Sequence, residues 1–431
     1  MTGLGQRFQG MRSGDPGRLA VLMATAFIDM VGGLMIIPLL PFYAKTLGAN
    51  GFMITVLVAA FSAMQLISAP FLGRFSDRYG RKPSLLLGLA ASGLAYIVFA
   101  FAQSYWLLLV SRLIQGAGGG TTGVIQAYVA DAVEPKNRAK ALGWLSAATN
   151  TGVVIGPLVG SAGRTLFGIH GPGLVAATLC FLNILFAFRY LTESHGAAAR
   201  EKARTSRPPM VIIQRVASHP LEPAHRLIWM YAISMGAFYG VNAMLILLLN
   251  KYYGVTANTV GFFFAYVGGL SVVLRIFALG PVIDRLGEPR TNRLGVALMA
   301  IGLFVIPLTR PLALPGLASL IPLALAVALL PLGTAFMFPA VTSLLSRTVG
   351  EHERGMYMGV QQTYAGLGRV IYPLYAGWAW DHLGDRIPFW TSSLLVLSTM
   401  FLGFGMHDRI RSKTAEHPVP AEFPPPEAAT E

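Results

Sequence analysis

Charge is what this sequence has least of. Only 12% of its 431 residues are Asp, Glu, Lys or Arg, while 54% are hydrophobic and the mean hydropathy is +0.58. A soluble domain carries roughly 25% charged residues, so a water-soluble globule is excluded. Cysteine is nearly absent as well. Cys180 stands alone, which rules out an internal disulfide and makes it a small apolar residue for packing. Acids are missing from the long apolar runs except for Asp29, and no histidine falls in their cores. Neither a paired-carboxylate site nor a metal site can be assembled there. No catalytic residue, metal ligand or cofactor is assigned, and an enzyme is not expected.

What is present is a succession of uncharged stretches, among them 83–111, 113–130, 141–163, 227–250 and 311–346. A helix crosses a bilayer with about 20 apolar residues. Twelve spans are predicted near 19–42, 53–72, 84–102, 106–129, 140–162, 172–191, 226–250, 258–279, 292–309, 317–345, 357–378 and 388–406. Runs this long and continuous are helices, because barrel strands are about 10 residues of alternating polarity. The fold class is an all-α membrane protein. The N-terminal MTGLGQRFQGMRSGDPGR precedes its apolar run as a signal peptide's basic region does. That run is too long and lacks a cleavage site, so it is kept as the first span.

An even number of spans puts both termini on one side, and basic loops stay cytoplasmic. Lys45, Arg164, Lys251, Arg310 and Arg386 fall on the other side, and Arg112, Arg275 and Arg369 fall within spans. The remaining Lys and Arg lie in the termini, in the loops that share their side, or at the span ends that border those loops. Cytoplasmic termini follow. The net charge of +14 is spread over these loops instead of forming one stripe, so no nucleic-acid partner is implied.

The organisation is a repeat. GRFSDRYGRK at 73–82 has a fainter copy in GPVIDRLGEPR at 280–290, with Gly73, Asp77, Arg78 and Gly80 matching Gly280, Asp284, Arg285 and Gly287 at a spacing of 207. A second match, at 216, pairs Arg138, Gly143, Gly152 and Pro157 with Arg354, Gly359, Gly368 and Pro373. Two pseudo-symmetric six-helix bundles are expected, over 1–191 and 226–406. The polar segment 192–225 reads as a cytoplasmic linker, and the Pro-rich 407–431 as a disordered tail.

These residues carry a family resemblance over nearly the whole chain. GRFSDRYGRK resembles the loop signature of the major facilitator superfamily, and LLLVSRLIQGAGGGTTG (107–123) is similar to its fourth-span motif. NTGVVIGPLVG (150–160), FIDMVGGLMIIPLLP (27–41) and YVADAVEPKNRAKALG (128–143) resemble signatures of the drug/proton antiporter branch. The resemblance implies alternating access and proton-driven export of hydrophobic or amphipathic compounds by a multi-pass protein of the plasma membrane, a bacterial inner membrane. Its partners are a small-molecule substrate, protons and membrane lipids, its energy source is the proton gradient, and it acts as a monomer. Tetracycline exporters belong to this branch, but their extra acids in spans 3 and 9 are missing here, where 84–102 and 294–309 hold no charge. Other readings on the same scaffold are a proton-coupled importer or a lipid flippase. A non-transporting receptor or scaffold is the reading from another class.

Individual residues have a bland reading and a functional one. For Arg74, Arg78, Arg81 and Lys82 the bland reading is topology. Asp77 recurs as Asp284, where an anion can latch onto helix N-termini of the opposite half, and the resemblance implies the same gating role for Gly73, Asp77, Arg78, Gly80, Arg81, Asp284 and Arg285. In span 4 the QGAGGG run is no dinucleotide loop, since no strand precedes it; its glycines suit close helix packing. Arg112 is costly at that depth and matches only Ala328 in the second half, so a polar cavity or a partner is expected beside it. Asp29 lies roughly 15 Å into the first span at 1.5 Å per residue. Its bland role is a structural ion pair. Its functional role is proton exchange, with burial opposing its charged form and Arg112 as electrostatic partner favouring it. Gly152, Gly156, Pro157 and Gly160 form a packing seam in span 5, placed by the resemblance where the halves meet. Span 11 has Tyr372 in place of the second glycine and adds Arg369. Substrate-cavity candidates are Gln115, Phe238, Tyr239, Asn242, Gln361 and Arg369, for most of which core packing is the competing role.

Overall fold

The computed structural model describes residues 15–133, 137–193, 210–309, 311, 320–350 and 353–403, and among these no strand occurs. The described helices are α1 (Asp15–Ile36), α2 (Leu40–Thr46), α3 (Gly51–Tyr79), α4 (Arg81–Ala100), α5 (Tyr105–Gly118), α6 (Thr121–Ala132), α7 (Arg138–Phe167), α8 (Gly171–Tyr190), α9 (Met210–Ser218), α10 (Pro223–Tyr253), α11 (Val260–Phe277), α12 (Leu279–Val305), α13 (Ile321–Thr348), α14 (Arg354–His382) and α15 (Ile387–Leu402). They make twelve passes. α1 and α2 are one pass broken around Pro38 and Pro41, α5 and α6 are one pass broken at Gly119 and Gly120, and α9 lies outside the count.

The break in the fourth pass is chemically closed. Gln65 Nε2 donates to the Gly119 carbonyl at 2.8 Å, and Ser68 Oγ adds a second donor at 3.1 Å to the Gly116 carbonyl, which already accepts from the Gly119 N–H, so α3 supports the carbonyls at the break. A freed backbone group inside a membrane is tolerated only where protein partners it in this way. A Cβ on Gly120 would lie 2.8 Å from Leu72, so the small residues also let α3 approach.

The charged stretch after the second span is helix and not a loop. α3 runs through Asp77 and Arg78 to Tyr79, and Gly80 alone, at φ 112°, turns the chain into α4. Gly287, at φ 73°, does the same between the start of α12 and the ninth pass. Positive φ is a glycine conformation, which explains why a one-residue turn recurs at the repeat spacing.

The glycine seam of span 5 faces a different neighbour from the one expected. Gly152, Gly156 and Gly160 lie against α1, where an added Cβ would come within 2.9 Å of the Phe27 and Val31 carbonyls and 2.4 Å of that of Met35. The seam is internal to the first bundle. A neighbouring face of α7 meets the second bundle, and there the small residues belong to α11: Gly261 sits on the Pro157 carbonyl and Ser161, and Gly268 on Val154. The second half copies the α1–α7 packing with α10 and α14, as Gly236 meets Gly368. Tyr372, which replaces the second glycine, is received by Gly240 of α10.

Of the segment 192–225, residues 194–209 lie outside the described ones, and so does the tail 407–431. Residues 210–218 form α9, which is held to the second bundle: Tyr364 donates to the Ile213 carbonyl at 2.9 Å and Trp229 to that of Val216 at 3.3 Å.

Candidate functional site

Asp29 is positioned by two consequences of glycine. The α1–α7 seam brings its helix close to Gly152, and the break at Gly119 and Gly120 starts α6 at Thr121, whose hydroxyl donates to Asp29 Oδ2 at 2.9 Å. Asp29 borders a cavity of about 70 Å³ that also includes Thr122, Gln126, Ser146 and Thr149. The acid thus faces a small chamber between α1, α6 and α7 whose wall is mostly apolar, with Met30, Ile125 and Leu145 beside these polar groups.

Arg112 is not its direct partner. No ion pair joins the two among the described residues. The guanidinium, with the residue only 2% exposed, sits over the Phe99 ring at 5.8 Å, and its Nε and Nη2 have no hydrogen-bond partner. Tyr96 intervenes, within electrostatic reach of both groups. Its hydroxyl accepts from Gln115 Nε2 at 3.0 Å, and its ring packs where Gly32 leaves room. The expected contact is not made: Asp29 is held by Thr121, and Arg112 lies over the Phe99 ring. Gln115, taken as a cavity residue, is buried in that internal network.

Several other cavity candidates separate in the same way. Gln361 is fully buried, with both amide atoms unpartnered, and does not line an open space. Phe238, Tyr239 and Asn242 are half-buried on α10, the two rings meeting edge to face at 5.9 Å. Arg369 stacks over the Tyr239 ring at 5.6 Å.

The acids and bases of the charged turns pair within their own bundles. Arg81 Nη1 reaches Asp77 Oδ1 at 2.7 Å, its Nε reaches Asp131 at 2.9 Å, and Glu193 accepts from the backbone N–H groups of Arg81 and Lys82. In the second bundle Glu288 pairs with Arg347 at 2.9 Å and accepts from Ser343 at 2.6 Å. The repeat spacings place Glu288 opposite Arg81 and Arg347 opposite Asp131. The same ion pair therefore recurs with its charges exchanged. Asp284 and Arg285 are exposed, and the residue four after Asp284 is Glu288, where Asp77 has Arg81.

Across the molecule, at the end away from these turns, a carboxylate does grip a helix N-terminus of the opposite half. Asp381, at the end of α14, accepts from the backbone N–H of Gly51 at 2.9 Å and of Phe52 at 2.8 Å. Lys45 donates to Asn250 at 3.0 Å nearby, and Ser161 Oγ joins α7 to the Ala257 carbonyl and the Gly261 N–H. The Asp381 and Lys45 contacts border a cavity of about 310 Å³ that includes Lys45, Gly51, Lys251 and Asp381. Asp385 beyond it bonds to Lys251 and Tyr252 of its own bundle. Burial pushes its carboxyl up, but those two hydrogen bonds together with the charges of Lys251 and Arg386 outweigh burial and hold it below the ordinary range.

Thr121, Tyr96, Asp381 and the Glu288–Arg347 pair were not picked out from sequence. Asp381 gave no signal there, because its partners are backbone groups more than three hundred residues away.

The profile of the Major Facilitator Superfamily matches residues 22–373 and 227–428. Multidrug resistance protein 2 of Bacillus subtilis is 28% identical over 392 residues, covering 90% of this chain and 93% of its own. The class B tetracycline resistance protein of Escherichia coli is 28% identical over 399 residues, with coverages of 88% and 92%. Among solved structures, a peptide transporter POT in complex with sulfate superposes with a TM-score of 0.73 at 16% identity, covering 91% of this chain and 94% of its own. A D-xylose-proton symporter gives 0.70 at 15%, with coverages of 89% and 96%. The chain is a multi-pass membrane transporter, not an enzyme, and it belongs to the Major Facilitator Superfamily.

Proposed function

We propose that the protein is a proton-coupled antiporter that exports hydrophobic or amphipathic small molecules by alternating access between a first bundle over 1–191 and a second over 226–406. The relatives named for multidrug and tetracycline resistance support that substrate range. The observation that carries proton coupling is the placement of Asp29. It is the one acid deep in a span, it is held by a neutral hydroxyl instead of a cation, and it borders a small cavity that also holds Thr122, Gln126, Ser146 and Thr149. An intramembrane carboxyl is costly when charged, and with no salt bridge to fix its state it is free to bind and release a proton. Arg112 acts through Tyr96 and not by direct pairing. When the carboxyl is neutral the Tyr96 hydroxyl and the guanidinium sense it, and this links protonation to the packing of α4 and α5.

The protein acts as a monomer in the plasma membrane with cytoplasmic termini, an orientation supported by the basic loops. The Asp381 and Lys45 contacts then close the outer face, while Asp77 and Glu288 are satisfied within their bundles and leave the inner face free to part. Transport of a compound panel in proteoliposomes under an imposed pH gradient tests the reading, comparing wild type with Asp29→Asn. Expulsion against the gradient of substrate, lost in the variant, is expected. Uptake in the direction of the protons supports the importer instead, and movement of labelled lipid between leaflets supports the flippase.

A further inference from the structure

The second bundle carries two cations at membrane depth, Arg275 on α11 and Arg369 on α14, and no ion pair holds either among the described residues. The Nε of each is shielded from solvent and lacks a hydrogen-bond partner. Both guanidiniums lie within electrostatic reach of one side chain, Tyr231 of α10. Gln362 donates to the Tyr231 hydroxyl at 3.5 Å, the Phe338 ring packs on it at 5.1 Å, and the Tyr239 ring lies under Arg369. α10, α11 and α14 are helices of this bundle that also touch the first one, so the cluster stands on the side where the bundles meet. It is not sealed: Arg275 and Arg369 are half-buried and Gln362 is exposed.

Intramembrane arginines are expensive and persist where they serve a pathway or a ligand. A guanidinium presents a fork of donors that matches carboxylate, sulfonate or phosphate oxygens. Two such forks with unmet Nε donors, framed by aromatic rings and with Asp29 on the other bundle, make the wrong surface for a cation. We propose that Arg275 and Arg369 form the substrate headgroup site and that the transported compounds are aromatic or otherwise apolar anions. The anionic group bridges the two guanidiniums and its apolar part lies on Tyr231, Tyr239 and Phe338. Substrate and proton then occupy different bundles, the anion in the second and the proton in the first. This rests on the transporter reading above but does not depend on proton coupling.

Equilibrium binding to the purified full chain in detergent, with no pH gradient, separates the two claims. The probes are 2-naphthalenesulfonate, 2-naphthoate, 2-naphthamide and 2-naphthylmethylammonium, which share one ring system and differ in charge. Both anions are expected to bind at least tenfold more tightly than the amide and the ammonium. Arg275→Gln and Arg369→Gln are each expected to remove most of that preference, and Arg369→Lys to recover part of it. The charge series on the wild-type protein decides the matter even if a variant fails to fold. Equal affinity across the series, binding of none of the four, or preference for the ammonium overturns the proposal. Anion preference with intact transport in Asp29→Asn leaves it standing and removes the proton-carrier assignment instead.

Discussion

Replacing Asp381 with Asn tests whether the carboxylate at the end of α14 holds one face of the transporter shut. The wild-type carboxylate accepts from two backbone N–H groups at the start of α3, at 2.9 and 2.8 Å. Hydrogen bonds to a charged group contribute about 1.5–3 kcal/mol each, and the negative charge at a helix N-terminus adds about 0.3–1 kcal/mol. Asn keeps one acceptor oxygen, and the site borders solvent, which screens the charge. The net loss is about 1–2 kcal/mol, and since 1.4 kcal/mol is tenfold, the open-to-closed ratio at this face rises about 5- to 30-fold. The sole cysteine is buried, so a Cys180→Ala background accepts spin labels cleanly. Thr46→Cys and Leu383→Cys, both exposed, flank the contact from opposite bundles. Pulsed electron resonance between them is expected to show a longer-distance population in Asp381→Asn. Asp385→Asn is the control, because that acid pairs only within its own bundle in the contacts described above. An unchanged distribution in Asp381→Asn, or an equal change in both variants, refutes the reasoning.

Two further outcomes follow from packing and charge. Gly156→Ala places a methyl 2.9 Å from the Val31 carbonyl and 3.0 Å from Leu34, so thermal melts in detergent are expected to show a loss of about 1–3 kcal/mol. Gly143→Ala on the same helix meets nothing within 4 Å and is expected to be neutral or stabilising. In the charge-exchanged pair, Glu288→Arg alone destabilises by setting two arginines together. Adding Arg347→Asp restores the melt, with a coupling in the double-mutant cycle of about 0.5–1 kcal/mol, small because Arg347 is 68% exposed.

The twelve passes and the repeat were legible because hydrophobic length and residue spacing are one-dimensional signals. Gly80 and Gly287 show the strength of that signal, since a shared spacing in the sequence became a shared positive φ in the fold. Direction around a helix was harder to read. The glycines of α7 promised a tight seam, but spacing alone does not say whether α1 or α11 lies on it. The pairing of Asp29 with Arg112 failed for a related reason. Position within a span marked each group as needing a partner, whereas the restart of α6 at Thr121 and the Phe99 ring decide what each one touches. Opposite Arg81 and Asp131 the sequence has Glu288 and Arg347, which look like loss of the motif until the fold shows each half making the same bridge.

The central claim is that Asp29 carries the exchanged proton, and substrate-induced proton release tests it most directly. Purified protein in weakly buffered detergent solution, with a pH-sensitive dye, is mixed with a transported compound. The wild-type protein is expected to release a proton on binding, and Asp29→Asn to bind the compound with no release. Release from the variant equal to that of the parent contradicts the account.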